Sequence, residues 1–510
     1  MTEAPAKQNK SSYGRILEAS SIVGGAEAVS ALLGLARMKF AAVLIGTVGV
    51  GLAGTYLAVQ SLIQTLSGLG LQTSAVRDVA SAAPKDDQTR VGETVRALRR
   101  LVWITGLLGA ISMAALSSWL SEWTFGSGEY SLQIAILGLA ILFANIKGGQ
   151  MALIQGMRRI GDLARVRILT GVATTGFTIF CYWRFGMQGI VPALVGSAFL
   201  SLCVSTIYAK RVTGPQGQRS WRRTVELGGG MISLGLAFMW TALLTAFVAY
   251  VTRALINHQL GLTEVGLFTA AFTLSGVFVN FVLNAMAADY YPRLTAAADD
   301  HGQMRRLVNE QTEIGMLLAV PGLLFMLALA PVMIWTFYSS EFIPAVDLLR
   351  WFLLGCIGRV ISWPMGFIML AQGQARLYAT VETGAKVLHL GLVWAALHWF
   401  GLEGTAIAYA LLYGVYLLLL RWVAGRLIGF SWSTGVRQIG AICALATVSV
   451  FLVSEIPNQV VGISIAVVIA STASVYCSRA LFRRLDPAHR LARIAARMPA
   501  GQYLFGVQAG

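Results

Sequence analysis

The chain has 510 residues, 56% hydrophobic and only 12% charged, with a formal net charge of +16. Soluble domains carry about 25% charged residues, so a water-soluble fold of this size would expose far more apolar surface than water tolerates. The basic residues are spread in short clusters between apolar runs, which excludes a nucleic-acid-binding domain and matches the loops of a polytopic membrane protein.

A helix needs about 20 apolar residues to cross the hydrocarbon core. Runs of that kind, separated by charged or turn-rich stretches, predict an all-α membrane protein of about fourteen transmembrane helices. In chain order they are 16–40, 51–75, 101–120, 130–156, 166–183, 189–209, 227–255, 265–288, 314–336, 344–371, 379–399, 402–424, 437–454 and 458–478. Met1 to Arg15 is a polar tail. The run after it contains Glu18 and Glu27, a poor secretory signal, so the first span is expected to be retained. Gly46 to Gly51 reads as a turn between the first two spans, and Gly189 and Gly404 close tight outer turns.

Alternating these spans from an inner N-terminus leaves only seven of the 39 Lys and Arg residues off the inner side: Arg37, Lys39, Lys147, Arg184, Arg253, Arg350 and Arg359. That asymmetry predicts a bacterial inner-membrane protein with both termini in the cytoplasm. Inner clusters include Arg96/Arg99/Arg100, Arg158/Arg159, Arg219/Arg222/Arg223 and Arg305/Arg306. From Arg479 to Met498, basic residues alternate with Leu and Ile, as in a helix resting on anionic lipid. The five cysteines all lie in apolar runs without metal-ligand spacing and read as small buried hydrophobes. No cofactor or metal is expected.

The chain repeats itself. Trp123 to Tyr130 matches Trp335 to Phe342 with five identities in eight, an offset of 212 that places Lys147 on Arg359. Val50-Gly51-Leu52 matches Val265-Gly266-Leu267 at an offset of 215, with Arg37 and Arg253 lying just before the two copies. The predicted organisation is a cytoplasmic tail 1–15, a six-span lobe 16–212, a second six-span lobe 213–425, two further spans in 426–478 and a basic cytoplasmic tail 479–510. Six spans is an even number, so the halves run in the same direction and should be related by a pseudo-two-fold axis along the membrane normal, with a solute site between them.

Charges inside a span are costly and point to function. Lys147 and Arg359 lie too deep to snorkel cheaply, and an anion site is favoured for them over a buried ion pair. Arg37 and Arg253 lie nearer the outer ends, where snorkelling competes evenly with a cavity role. Four cations suit phosphate or other acidic groups. Gln60 and Gln64 in span 2, with Asn280 and Asn284 in span 8, form amide stripes suited to sugar hydroxyls, although helix–helix hydrogen bonds explain any single one equally well. Glu27 is either the site of a coupling H+ or Na+ or a counter-ion to a neighbouring cation such as Arg37. Glu382 and His389 share a face of span 11, with nothing else joining them. The sequence holds no metal-binding His pair, phosphate-cradling Gly-Lys-Ser loop or nucleophile elbow, so no enzymatic activity is expected.

The basic-tipped first span, Leu44 to Leu52 and the Gly68-Leu-Gly70-Leu motif running to Arg77 resemble the polysaccharide transporter family, as do the Gln-Gly pairs at 155–156 and 372–373. These are the Wzx-type flippases of the multidrug/oligosaccharidyl-lipid/polysaccharide (MOP) exporter superfamily. The resemblance implies a V of two six-helix lobes, as in the superfamily's multidrug (MATE) branch, plus two C-terminal helices. It implies a substrate, undecaprenyl-pyrophosphate-linked oligosaccharide, flipped for O-antigen or exopolysaccharide synthesis by alternating access. A cationic cavity would hold pyrophosphate and acidic sugars, and a polysaccharide polymerase or export complex is the expected partner. A lipid II-type flippase, or a cation-coupled multidrug exporter of the same superfamily, is the alternative; the basic deep positions argue against the exporter. A membrane glycosyltransferase, polymerase or ligase would need a large catalytic outer loop, and the outer loops are about ten residues or shorter.

Overall fold

Glycines set the helix breaks, and the breaks show how the chain is built. In the computed structural model, which describes residues 5–82, 88–211 and 221–484, α1 (Pro5–Gly68) is interrupted only at Gly46, whose φ of 63° and ψ of −170° are left-handed. The expected turn from Gly46 to Gly51 is therefore a single-residue break. The helix resumes at Thr47 and ends at Gly68, so the second span stops short of the expected residue 75. Leu69 and Gly70, with φ of 49° and 65°, kink the chain into α2 (Leu71–Ala82). Most of the expected basic tail, 485–510, lies outside the described residues, as does Arg219.

The rest of the first half follows as α3 (Gln88–Ala115), α4 (Ser117–Phe125), α5 (Ser131–Gly156), α6 (Ile160–Phe185) and α7 (Ile190–Lys210). The second half runs through α8 (Trp221–Leu260), α9 (Leu262–Ala296), α10 (His301–Ala328), α11 (Ala330–Phe337), α12 (Val346–Ala371), α13 (Ala375–Phe400) and α14 (Glu403–Ile428). Two more helices close the described chain, α15 (Thr434–Ser454) and α16 (Gln459–Phe482). Among the described residues there is no strand.

Eleven of the described segments are long and apolar enough to cross a bilayer. Two of them, Gly25–Gly68 with 44 residues and Ile160–Lys210 with 51, would reach about 66 and 77 Å as straight helices, roughly twice the hydrocarbon thickness. Each is broken at a left-handed glycine, Gly46 in the first and Gly186 in the second. The 26-residue α13 is not among the eleven; Glu382, Lys386, His389 and His398 lower its hydropathy. Leu, Phe and Trp side chains face outward in quantity, Trp183 and Trp399 at 70% and 74% exposure, as lipid-facing surfaces require.

The repeat survives in the backbone. Gly46 and Gly261, Arg158 and Gly373, and Gly186 and Gly401 are all left-handed, and each pair is 215 residues apart. Helices α5 and α12 have 26 residues each, as do α6 and α13, at the same spacing. The Trp123 and Trp335 copies lie 212 apart because five residues separate α4 from α5, whereas eight separate α11 from α12. Those three extra residues, folded into the 3-10 turn Ser340–Ala345, shift the register. Beyond the turn, Lys147 aligns with Ser362 and not with Arg359; before it, the spacing of Gly46 and Gly261 aligns Gln64 with Val279, one residue before Asn280.

Contacts group the chain into two units, one running to Gly266 and taking in Phe337–Ser339, the other holding Leu267–Thr336 and the chain from Ser340 onward. In the first, α5 packs on α3 and α7, α1 on α6, and α8 on α1, α2 and α3. Helix α8, assigned by sequence to the second lobe, thus lies in the first unit. A Cβ on Gly51 would come within 2.2 Å of the Leu262 carbonyl, and one on Gly266 within 2.1 Å of the Thr47 carbonyl. Only glycines allow that backbone approach. Lys39 reaches the Tyr338 carbonyl at 2.5 Å in the same unit. In the second unit α12 packs on α14, α13 on α14, and α10 on α12, α15 and α16.

Candidate substrate site

Helices α12, α13 and α14 of the second unit enclose a cavity of ≈ 280 Å³. Each contributes one helical stripe: Arg359, Trp363 and Gly366 from α12, Tyr378, Glu382 and Lys386 from α13, and Tyr413, Tyr416 and Leu420 from α14. Glycines bring α14 close, since a Cβ on Gly355 would meet the Tyr409 ring at 2.4 Å and one on Gly358 the Tyr413 Cβ at 3.1 Å. Arg359 Nη2 donates to Asn280 Oδ1 at 2.9 Å, which orients the guanidinium and leaves further N–H donors for an anion. The Tyr416 hydroxyl donates to Glu382. Lys386, one turn beyond Glu382, makes no hydrogen bond or ion pair among the described residues. Two cations against one carboxylate, walled by the five aromatic rings of Trp363, Phe367, Tyr378, Tyr413 and Tyr416, favour an anionic, ring-bearing ligand.

The first unit has a cavity of a different character, ≈ 250 Å³ in volume. Ser61, Gln64 and Thr65 of α1, Gln72 and Thr73 of α2 and Asn145 of α5 line it, against Phe238 and Met239 of α8. The kink at Leu69 and Gly70 lets α2 follow α5 onward from the end of α1; a Cβ on Gly70 would fall 2.0 Å from the Gly235 carbonyl. Asn145 Nδ2 reaches Ser67 Oγ at 3.5 Å. Amides and hydroxyls without charge suit a ligand rich in hydroxyl groups.

The other expected site residues fall in varied settings. Lys147 is half-buried on α5 and makes no hydrogen bond or ion pair among the described residues. It lies two residues, about 200° of helix, from the cavity-lining Asn145. Arg37 donates to Thr174 and Thr175 on α6 at 3.0 and 3.2 Å. Arg253 is buried and bonds the Ala249 carbonyl of its own helix at 2.9 Å. Gln60 is half-buried, and its amide oxygen has no partner among the described residues. Asn284 is exposed. Glu27 pairs with Arg167 and not with Arg37.

The structure adds Lys386 and the tyrosines 378, 413 and 416. Lys386 lies inside the eleventh expected span, 379–399. The signal was present in the spacing of Glu382, Lys386 and His389, three ionisable residues on one face of an apolar helix. Among the described residues no three His, Cys, Asp or Glu side chains gather as a metal site.

Known proteins bear on this arrangement. The sequence profile of the family described as polysaccharide biosynthesis protein matches residues 42–347. The chain is 24% identical over 397 residues to the lipid III flippase of Escherichia coli (strain K12), a match covering 75% of this chain and 92% of that one. It is 20% identical over 410 residues to the putative O-antigen transporter of Shigella flexneri, covering 78% and 95%. Among solved structures, the lipid II flippase MurJ in its inward closed conformation superposes with a TM-score of 0.67 at 13% identity, over 92% of this chain and 99% of that one. At that identity the likeness concerns the fold, and it extends beyond the twelve helices of the repeat. With more than half of its residues inside the family profile, the chain belongs to the polysaccharide biosynthesis protein family.

Proposed function

We propose that this multi-pass membrane protein is a flippase. It carries undecaprenyl-pyrophosphate-linked oligosaccharide across the bacterial inner membrane by alternating access, for O-antigen or exopolysaccharide synthesis. The observation that carries the reading is the pair of cations, Arg359 and Lys386, facing an aromatic-walled cavity within bilayer-spanning helices. A cation there is expensive unless it meets an anion, and a pyrophosphate or sugar carboxylate provides one. The family and the names of its relatives supply the lipid-linked saccharide. The excess of positive charge over negative in this cavity runs against an exporter of cationic drugs.

In this proposal Arg359 binds the acidic part of the substrate, with Lys147, Arg37 and Arg253 as further cationic positions. Gln60, Gln64, Asn280 and Asn284 serve sugar hydroxyls. The protein catalyses no bond change; H+ or Na+ movement drives the cycle, with Glu27 the candidate coupling carboxylate. Fourteen spans in two six-helix lobes plus a terminal pair place both ends in the cytoplasm.

The test replaces both cavity cations. Each charge-assisted hydrogen bond contributes about 1.5–3 kcal/mol, so R359A/K386A should lower surface polysaccharide export by roughly tenfold or more at wild-type membrane abundance. Wild-type export from that variant ends the proposal.

A further inference from the structure

A third cavity, ≈ 320 Å³, lies in the first unit between α3, α5 and α7, and substrate transport makes no use of it. Helix α5 forms the floor, and α3 and α7 are the walls. Gly149 on the floor lets α3 approach, since a Cβ there would come within 2.7 Å of Val102 Cγ1. The lining is apolar along most of its length, with Leu98, Val102, Leu153 and Leu202. At one end stand two cations, Arg99 and Lys210. Arg99 is exposed and makes no hydrogen bond or ion pair among the described residues. Between the two zones sit Gln150 and Thr206, joined by Gln150 Nε2 donating to Thr206 Oγ1 at 2.9 Å.

The charged end lies at a membrane–water boundary. Arg100 stacks on the Trp221 ring at 4.3 Å and Arg211 on the Tyr208 ring at 4.7 Å, the mixture of basic and aromatic side chains found where helices leave the hydrocarbon. Away from that rim the groove opens onto exposed Trp103, and the same wall continues through exposed Leu107 and Ile111. An occupant must therefore be anionic at one end, polar about one turn further in and hydrocarbon beyond.

We propose that this groove binds an anionic glycerophospholipid of the leaflet on the basic side. The phosphate rests on Arg99 and Lys210, as headgroups do in basic pockets between transmembrane helices. Thr206 is one helical turn, about 6 Å, from Lys210, the depth at which glycerol ester carbonyls follow a phosphate. Gln150 carries a second amide N–H to meet one of them; the Thr206 hydroxyl, which donates to the Leu202 carbonyl at 2.7 Å, holds that amide in place by accepting from Gln150 Nε2. One acyl chain then follows Val102 and Leu202 outward. A polyprenyl phosphate matches the charge but sets bare hydrocarbon against the second Gln150 amide N–H, which is unfavourable. The site stands independently of the transport reading, because none of its residues lines either candidate substrate cavity.

The test uses the full-length protein, delipidated in mild detergent and offered mixed micelles of phosphatidylglycerol and phosphatidylethanolamine with identical acyl chains. Bound lipid is read by native mass spectrometry. Wild type should retain phosphatidylglycerol selectively. At about 1 kcal/mol per cation, each loss lowers that preference about fivefold, so R99Q/K210Q should lower it about 25-fold. R376Q/R437Q, which removes the same charge elsewhere, should leave it unchanged, and R99K should retain it. No preference in wild type, an equal drop in the control variant, or displacement of phosphatidylglycerol by undecaprenyl phosphate at equal concentration would each overturn the proposal.

Discussion

Arg359 and Lys147 read alike in the sequence as deep cations, and the fold separates them. Arg359 is oriented by Asn280 and faces a cavity, whereas Lys147 sits about 200° around α5 from the residue that lines one. Arg37 meets threonine hydroxyls, partners that hold a guanidinium in place without neutralising it, and Arg253 donates to a carbonyl of its own helix. Glu27 is the sharper case, because its bond to Arg167 supplies the counter-ion reading with a named partner. If that pairing is its role, E27Q should change export by less than about fivefold, as for an exposed ion pair worth at most ~1 kcal/mol, and E27Q/R167Q should export as well as E27Q alone. Loss of export at full abundance, unrelieved by R167Q, would assign the coupling role to Glu27. Its sequence position could not decide this, since Arg167 is 140 residues away and only the packing of α6 on α1 brings them together.

The elements depend on a few glycines whose backbone no other residue adopts cheaply. Gly70 combines a φ of 65° with a Cβ position 2.0 Å from the Gly235 carbonyl, where α2 turns under α8. Gly126 has a φ of 70° but open space around it. Gly126→Ala should therefore cost only the left-handed penalty, about 1–2 kcal/mol, whereas Gly70→Ala adds an overlap worth a further 1–3 kcal/mol or so. Thermal unfolding in detergent should rank wild type above G126A and G126A above G70A; equal midpoints for the two variants would contradict the close approach. A different device anchors the last two helices. Glu313 on α10 accepts from Arg484 Nε at 2.9 Å and from Ser433 Oγ at 3.2 Å, and Asn309 accepts from the Ser433 backbone N–H at 2.8 Å. These bonds tie both ends of the α15–α16 hairpin to one helix.

At the scale of the molecule, three left-handed pairs at a constant spacing of 215 residues make the duplication a backbone fact. The proposed fourteen spans, an even number, would put both ends of the chain on one side. Reporter fusions test this: a cytoplasm-active reporter such as green fluorescent protein should fluoresce when joined after Phe482, and a periplasm-active phosphatase should be active when inserted at Gly401, between α13 and α14. Phosphatase activity after Phe482 would show an odd number of crossings and remove the fourteen-span topology. Breaks at Gly46 and Gly186 divide two of the long apolar segments, and on α13 Glu382 and Lys386 face a cavity, the arrangement by which a bilayer-crossing helix carries such charges.

Composition and the spacing of apolar runs determined that the chain is all-helical and spans a membrane, because a bilayer forces every backbone group to be satisfied within a helix. Paired glycines and aromatic blocks also made the duplication legible, since each half must turn at the same places. The site needed the fold. A three-residue insertion before α12 moved the register by nearly a full turn, so matching Lys147 to Arg359 along the sequence paired residues that are not equivalent. Lys386 and its tyrosines converge from two helices, and such convergence is a property of packing angles that one-dimensional periodicity does not carry.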